Sequence, residues 1–176
     1  MLLMSLTNGY PLPPVPPPVM APAMAPVAVP VPSPTIPKLP IRKPVAVQGV
    51  VFCKSCKYIK EDTLQDAKPL VGAVVKMVCY NTNRPKFPIV MTATTDKNGY
   101  FFIPPTKKVT TYGAQTRCRV FLAAAPKGSK CKLPTNLHGG IRGAYLKPTK
   151  PATPVDFALY TVGPFAFNPI PSSCKY

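Results

Sequence analysis

The chain has 176 residues, room for one domain and an appendage. Its 22 Lys and Arg against 5 Asp and Glu give a formal charge of +17, a field that draws polyanions. Five acids, one histidine and no nucleophile–base arrangement leave no constellation for catalysis, so no enzyme, metal or cofactor is expected.

Met1-Leu-Leu-Met-Ser-Leu6 has the apolar character of a signal peptide, but no basic start and too short an apolar run. Residues 1–8 are therefore expected to be the remnant of a signal region, from a truncated start or a longer precursor. No stretch approaches the 18 or so apolar residues of a membrane span. From Tyr10 to Pro44 the chain is dominated by proline, and 14 of its 27 prolines precede Val45. Proline fixes φ and restricts the preceding residue, which excludes helix and central strand. With few bulky side chains to bury, residues 1–44 are expected to form a polyproline-II-like tail. At ~3.1 Å per residue its proline-rich part reaches roughly 110 Å as a semi-rigid spacer. An SH3 or WW ligand needs basic residues beside its PxxP core, whereas Lys38, Arg42 and Lys43 all sit at the far end.

Residues 45–176 carry all six cysteines and are long enough to bury a core. Val45–Cys53 reads as a first strand, Val71–Cys79 as a second, Cys118–Leu122 as a third and Val155–Tyr160 as a late one. Leu64–Ala67 is at most one helical turn. Between Ile89–Thr94 and Tyr100–Ile103 lies Asp96-Lys-Asn-Gly99, a tight turn in which Asp and Asn bond local backbone and Gly tolerates positive φ. That pattern predicts a β-hairpin whose second strand stops at Pro104-Pro105. Short strands separated by turns predict an all-β sandwich or small barrel. If Cys79 and Cys118 point inward, alternation buries Val75, Met77, Val120 and Leu122 and turns Lys76, Arg117 and Arg119 to solvent. The Thr95-Asp-x-x-Gly-Tyr-Phe101 turn also resembles that of transthyretin-like sandwich domains.

Cys53, Cys56, Cys79, Cys118, Cys131 and Cys174 admit three readings. Cys53-Lys-Ser-Cys56 as a redox pair lacks a βαβ setting. As half a zinc site it lacks a second CxxC, and His138 is the only histidine. A framework of three structural disulfides, formed in an oxidising compartment, accounts for the even count.

The first-strand pattern Val-x-Gly-Val-Val-x-Cys-x-x-Cys is followed by single cysteines at 79, 118, 131 and 174. Cys118 leads into Arg-Val-Phe-Leu, and Cys131 into Leu-Pro-Thr-Asn-Leu-His-Gly-Gly. Together these resemble the plant Ole e 1-like (pollen Ole e 1 allergen and extensin) family. The proline-rich tail points to its PAC-domain branch of non-classical arabinogalactan and pistil extensin-like proteins. The resemblance implies pairings Cys53–Cys131, Cys56–Cys174 and Cys79–Cys118, and secretion to the plant cell wall. It further implies binding of pectic polysaccharides, homogalacturonan and galactan side chains, and association with other wall glycoproteins. Pro22, Pro26 and Pro34 would be hydroxylated and carry arabinogalactan, and Pro16-Pro17-Pro18 short arabinosides. No Asn-x-Ser/Thr acceptor occurs.

From Val45 on, 19 basic residues face 5 acidic ones. Inside a cell such charge means nucleic acid. Six paired cysteines place the chain outside, where demethylesterified pectin is the abundant polyanion, so neither nucleic acid nor membrane is an expected partner. Lys54, Lys57 and Lys60 form one basic group, Lys107, Lys108, Arg117 and Arg119 a second, and Lys127, Lys130 and Lys132 a third. The expected polysaccharide-binding residues are Arg117, Arg119, Lys130 and Lys132 for charge, with Asn136 and Tyr145 in a selective loop. Tyr58 and Tyr112 are further exposed aromatic candidates. His138, between Leu137 and Gly139-Gly140, reads as a loop hydrogen-bonder. Alternatives to a structural wall protein are a pistil or pollen recognition protein acting on pollen tubes, and a cationic defence protein.

Overall fold

The computed structural model describes residue 9 and residues 11–19, 39–81 and 83–175. Residues 11–19 are exposed and without regular secondary structure. Tyr10, Pro22, Pro26 and Pro34 and the signal-like start lie outside the described residues. The second compact unit, Leu39–Tyr176, contains β1 (Pro44–Cys53), β2 (Lys68–Pro69), β3 (Val74–Cys79), β4 (Ile89–Thr94) and β5 (Tyr100–Thr110). One helical turn, α1 (Ala114–Arg117), precedes β6 (Cys118–Ala124), β7 (Cys131–Pro134), β8 (Ala144–Tyr145), β9 (Lys147–Thr149) and β10 (Ala158–Pro169). Among the described residues no helix is long and apolar enough to cross a membrane.

The fold is all-β in two sheets. The first runs β2-β1-β10-β7, with β5 also on β1 and β9 also on β10; the second runs β4-β3-β6-β8. β1 and β10 pair in parallel from Val45↔Ala158 to Cys53↔Phe167. Val45, Val47, Val51, Phe101, Ile103, Val162, Phe165 and Phe167 of the first sheet share one buried cluster with Val75, Met77 and Val120 of the second. Phe101 and Phe165 stack with centroids 6.4 Å apart. Gly49 is where β1 gives way to them: a Cβ there would lie 2.6 Å from the Phe101 ring. The alternation expected on β3 and β6 holds for Val75, Met77 and Val120, while Leu122 is half-buried against the same cluster.

The structure corrects the hairpin. β4 pairs with β3 and β5 with β1, so the Asp96–Gly99 turn carries the chain from one sheet to the other. The turn chemistry itself is present: Asp96 Oδ1 accepts from Asn98 N at 2.8 Å and Tyr100 N at 2.9 Å. What the sequence hides is where each side of the turn docks. On the β4 side Thr95 is buried, its hydroxyl donating to Leu70 O at 2.6 Å and accepting from Ala73 N at 2.9 Å. On the β5 side Gly99, at φ 70°, accepts from Val51 N at 2.8 Å. Tyr100 donates its hydroxyl to Gln48 Oε1 at 3.1 Å. Burial, with the Asp96 carboxylate adding to it, pushes the Tyr100 phenol above its ordinary pKa.

Boundaries also move in three strands. Pro104-Pro105 do not end β5, which runs on to Thr110. The pairings Val47↔Ile103 and Val45↔Thr106 leave an extra residue on β5, so the prolines sit in a bulge. Among the described residues that strand pairs only with β1, so its other edge needs no donors there. The second strand starts at Val74, because Val71-Gly72 form a turn with Gly72 at φ 79°. The late strand starts at Ala158 and continues to Pro169, well past Tyr160. Its Gly163-Pro164 pair is accommodated where the β1 register shifts between Gly49 and Val51.

The disulfides join Cys53 to Cys131, Cys56 to Cys174 and Cys79 to Cys118, and leave no free cysteine. Cys53–Cys131 ties the end of β1 to β7, and Cys56–Cys174 ties the following turn to the C-terminal segment. Cys79–Cys118 links directly opposed residues of β3 and β6, with Cα atoms 4.0 Å apart.

Two outcomes follow for stability. Gly99→Ala places a Cβ 2.4 Å from Val51 O in a left-handed backbone. Strain at such a position costs about 1–3 kcal/mol before the clash is counted. Denaturant unfolding should therefore show a loss of at least about 2 kcal/mol, and an unchanged midpoint would refute the docking of the turn on β1. Replacing Cys79 and Cys118 together by Ala opens a loop with sequence separation 39 and should cost about 4 kcal/mol by chain entropy.

Candidate functional site

Asn136 and Tyr145 come together at one rim of the sheets, on a shallow pocket they line with His138, Arg142 and Lys147. The chain returns on itself between them through left-handed turns, His138 at φ 49°, Gly139 at 85° and Gly143 at 95°. Asn136 Oδ1 accepts from Arg142 N at 2.9 Å, which closes the loop. Thr135 anchors it to β10, donating its hydroxyl to Ala166 O at 2.8 Å. His138 Nδ1 lies 2.7 Å from Pro164 O, so the imidazole braces the loop. Gly143 lets the loop lie flat on β6, since a Cβ there would be 2.7 Å from the Phe121 ring.

Tyr145 is 59% exposed, and its ring carries the guanidinium of Arg119, whose Cζ is 3.2 Å from the ring centroid. Arg119 is therefore not the solvated charge that strand alternation predicts. It is half-buried, and its Nη1 is enclosed with no hydrogen-bond partner among the described residues. β6 and β8 pair directly at Arg119↔Tyr145, which puts the two side chains on one face of the second sheet. On the same sheet Lys76 Nζ lies 5.9 Å from the Phe121 ring centroid. With no acidic residue lining the pocket, this rim offers a planar aromatic edge, fixed cationic donors and the Asn136 amide. Those groups suit the hydroxyls and carboxylates of sugars.

The other expected residues fall elsewhere. Arg117, at the end of α1, rests over Tyr112, with Cζ 5.0 Å from the ring centroid. Lys130 and Lys132 are exposed, flanking the buried Cys131 at β7. The Cys53–Cys131 bridge, with Cα atoms 5.6 Å apart, brings the CxxC segment beside them. Two basic groups that are far apart in sequence, Lys57 with Lys60 and Lys130 with Lys132, thus share one end of the first sheet. Lys54 does not join them: it is 4% exposed, and its Nζ donates to Glu61 O. Arg142 and Lys147 escaped the sequence reading. The glycines at 139, 140 and 143, which fold the chain back between Asn136 and Tyr145, were the signal for them.

No family model matches the chain. Over 132 residues, 71% of this chain and 53% of the relative, it is 42% identical to non-classical arabinogalactan protein 30 of Arabidopsis thaliana. Over 137 residues, 72% of this chain and 30% of the relative, it is 42% identical to a pistil-specific extensin-like protein of Nicotiana tabacum. The chain thus spans about half the length of the first relative and under a third of the second. Among solved structures, the major plantain pollen allergen Pla l 1 aligns with TM-score 0.46 and 18% identity, over 71% of this chain and 93% of that one.

The stacked pair can be tested by itself. Tyr145→Ala removes the surface on which Arg119 rests and should cost about 1 kcal/mol in thermal or denaturant unfolding. Tyr145→Phe keeps the ring and should retain more than half of that. Equal losses in both variants would show that the hydroxyl, not the stack, matters.

Proposed function

We propose that this chain belongs to the plant Ole e 1-like family, in the branch of non-classical arabinogalactan and pistil extensin-like proteins, and that it is a secreted cell-wall glycoprotein. Its basic, disulfide-braced body holds acidic pectic polysaccharide without a covalent bond. Its proline-rich tail, hydroxylated and glycosylated at Pro22, Pro26 and Pro34, joins the rest of the wall network. The observation that carries the reading is the charge: 19 basic against 5 acidic residues from Val45 on. The disulfides support an oxidising, extracellular setting. The reading is of a binding protein. The one histidine is engaged with Pro164 O, as a brace of its loop.

Charge supplies attraction to a polymer of carboxylates, and the Asn136–Tyr145 rim supplies selectivity, including for neutral galactan side chains. A second reading is favoured by one name among the relatives, the pistil-specific protein. On that reading the chain serves recognition of pollen tubes in reproductive tissue, and its tissue of expression separates the two.

Co-sedimentation of the full chain with demethylesterified and methylesterified homogalacturonan tests the proposal. Binding should be strong only to the demethylesterified polymer and should weaken steeply from low to physiological salt. Reversing Lys57, Lys60, Lys130 and Lys132 to Glu should weaken it at least about tenfold, since each adds repulsion to lost attraction. Equal binding to both polymers, or no effect of the reversal in a folded variant, would overturn the charge-based reading.

A further inference from the structure

Where the end of β5, α1 and the segment leading into β1 meet, there is a cavity of about 260 Å³. Its lining includes Arg42, Tyr80, Asn81, Lys108, Tyr112 and Arg117, and no acidic side chain. Tyr112, 60% exposed, has a guanidinium from each side of the sequence over its ring: Arg42 Cζ at 4.6 Å and Arg117 Cζ at 5.0 Å from the centroid. We propose that this cleft is a specific carboxylate site, which takes a single hexuronic acid residue of an acidic polysaccharide between Arg42 and Arg117. The inference rests on the polysaccharide-binding reading above and adds to it a defined site outside the rim formed by Asn136 and Tyr145.

Backbone geometry, not ion pairing, puts the two arginines there. Gly113, at φ 75°, opens the α1 turn in a left-handed conformation that favours glycine, and Arg117 Nε comes within 2.9 Å of where its Cβ would be. The Arg117 amide donates to Gly113 O at 2.9 Å, and its carbonyl accepts from Tyr80 N at 3.0 Å. On the other side Thr111 N donates to Lys43 O at 2.9 Å and Lys43 N to Thr111 Oγ1 at 3.3 Å, which fixes the residue next to Arg42. Two like charges are therefore held on one ring, with Lys108 beside them and no counter-charge in the lining. The quadrupole of the ring offsets only part of their repulsion. An anion between them removes the rest.

The shape of the donors selects among anions. Guanidinium is a planar fork that matches a carboxylate through two parallel N–H···O bonds, and positions held by stacking lose little further entropy on binding. A cavity of about 260 Å³ is smaller than sites that hold drug-sized ligands, roughly 300–1,000 Å³. It has room for one sugar residue of a chain, with Asn81 and the Tyr80 and Tyr112 edges available to hydroxyl groups. A methyl ester has neither the charge nor the second free oxygen, so the cleft discriminates against esterified residues.

Calorimetric titration of the full chain with a demethylesterified oligogalacturonide provides the test. Arg42→Gln and Arg117→Gln should each weaken binding about tenfold, the loss of one charge-assisted contact. Arg42→Lys and Arg117→Lys keep the charge but not the fork and should weaken it several-fold. The double Gln variant should lose less than the product of the single losses, because both side chains hold one carboxylate. Lys150→Gln, which removes the same charge from an exposed position away from the cleft, should change affinity less than about twofold. Single Gln variants no weaker than Lys150→Gln, while the oligomer still binds, would overturn the cleft and leave the wider reading standing. If the oligomer does not bind at all, the wider reading fails, and nuclear magnetic resonance of the arginine Nε–H groups decides the cleft by itself. Shifts of Arg42 and Arg117 with galacturonate, larger than with equimolar inorganic phosphate, would uphold it. Equal shifts with phosphate, or none with either, would overturn it.

Discussion

The pairing on which everything else rests is the parallel one between β1 and β10. It joins the first ten residues of the sheet region to its last twelve, so nearly the whole body is a loop closed by this contact. Closing so long a loop has a large entropic cost before any contact rewards it. Two of the three disulfides lie at that closure, one from the end of β1 and one from the turn just after it, with sequence separations of 78 and 118. They act where the unfolded chain has the most freedom to lose. The third staples the second sheet across directly opposed strands, where the separation is 39. The arrangement explains why a body of this modest size can hold so much surface in loops.

Much of this was legible, and what was not has physical reasons. β1, β3 and β6 announce themselves because they combine β-branched residues with alternation. The Asp96–Gly99 turn was legible as a turn but not as a crossing. Local chemistry fixes that the chain reverses, whereas Thr95 and Gly99, docking on Leu70, Ala73 and Val51, fix which sheet each side joins. β10 was illegible over most of its length because Gly163, Pro164 and Pro169 are turn-forming residue types. They are tolerated at points where the ladder already shifts register. The candidate sites show the same division. Lysines could be counted from the sequence, but that Lys54 is buried and that Arg42 leaves the tail to stack on Tyr112 required the fold.

The fold thereby sorts the cations into two kinds that the sequence shows as one. Exposed lysines such as Lys57, Lys60, Lys130 and Lys132 sit on flexible stems and act as mobile point charges. Arg42, Arg117 and Arg119 are laid on aromatic rings, which limits their rotamers before any ligand arrives. The first kind contributes long-range attraction that salt screens over a Debye length of about 8 Å at physiological strength. The second contributes directed hydrogen bonds at contact, where screening is weak and little ordering remains to be done.

This division bears on how a protein so strongly basic can discriminate at all. A uniform cationic surface binds any polyanion in proportion to charge density, and its affinity falls together for all of them as salt rises. Stacked guanidiniums break that symmetry. Their contribution depends on whether the anion is planar and on whether it reaches the ring. If the surface binds pectic polysaccharide as proposed, then where salt largely screens the lysines the remaining binding would be the part that distinguishes a carboxylate from its ester or from a tetrahedral anion. On the proposed reading, specificity would therefore rise as total affinity falls, and the arginines on Tyr112 and Tyr145, not the larger number of lysines, would set the selectivity of the surface.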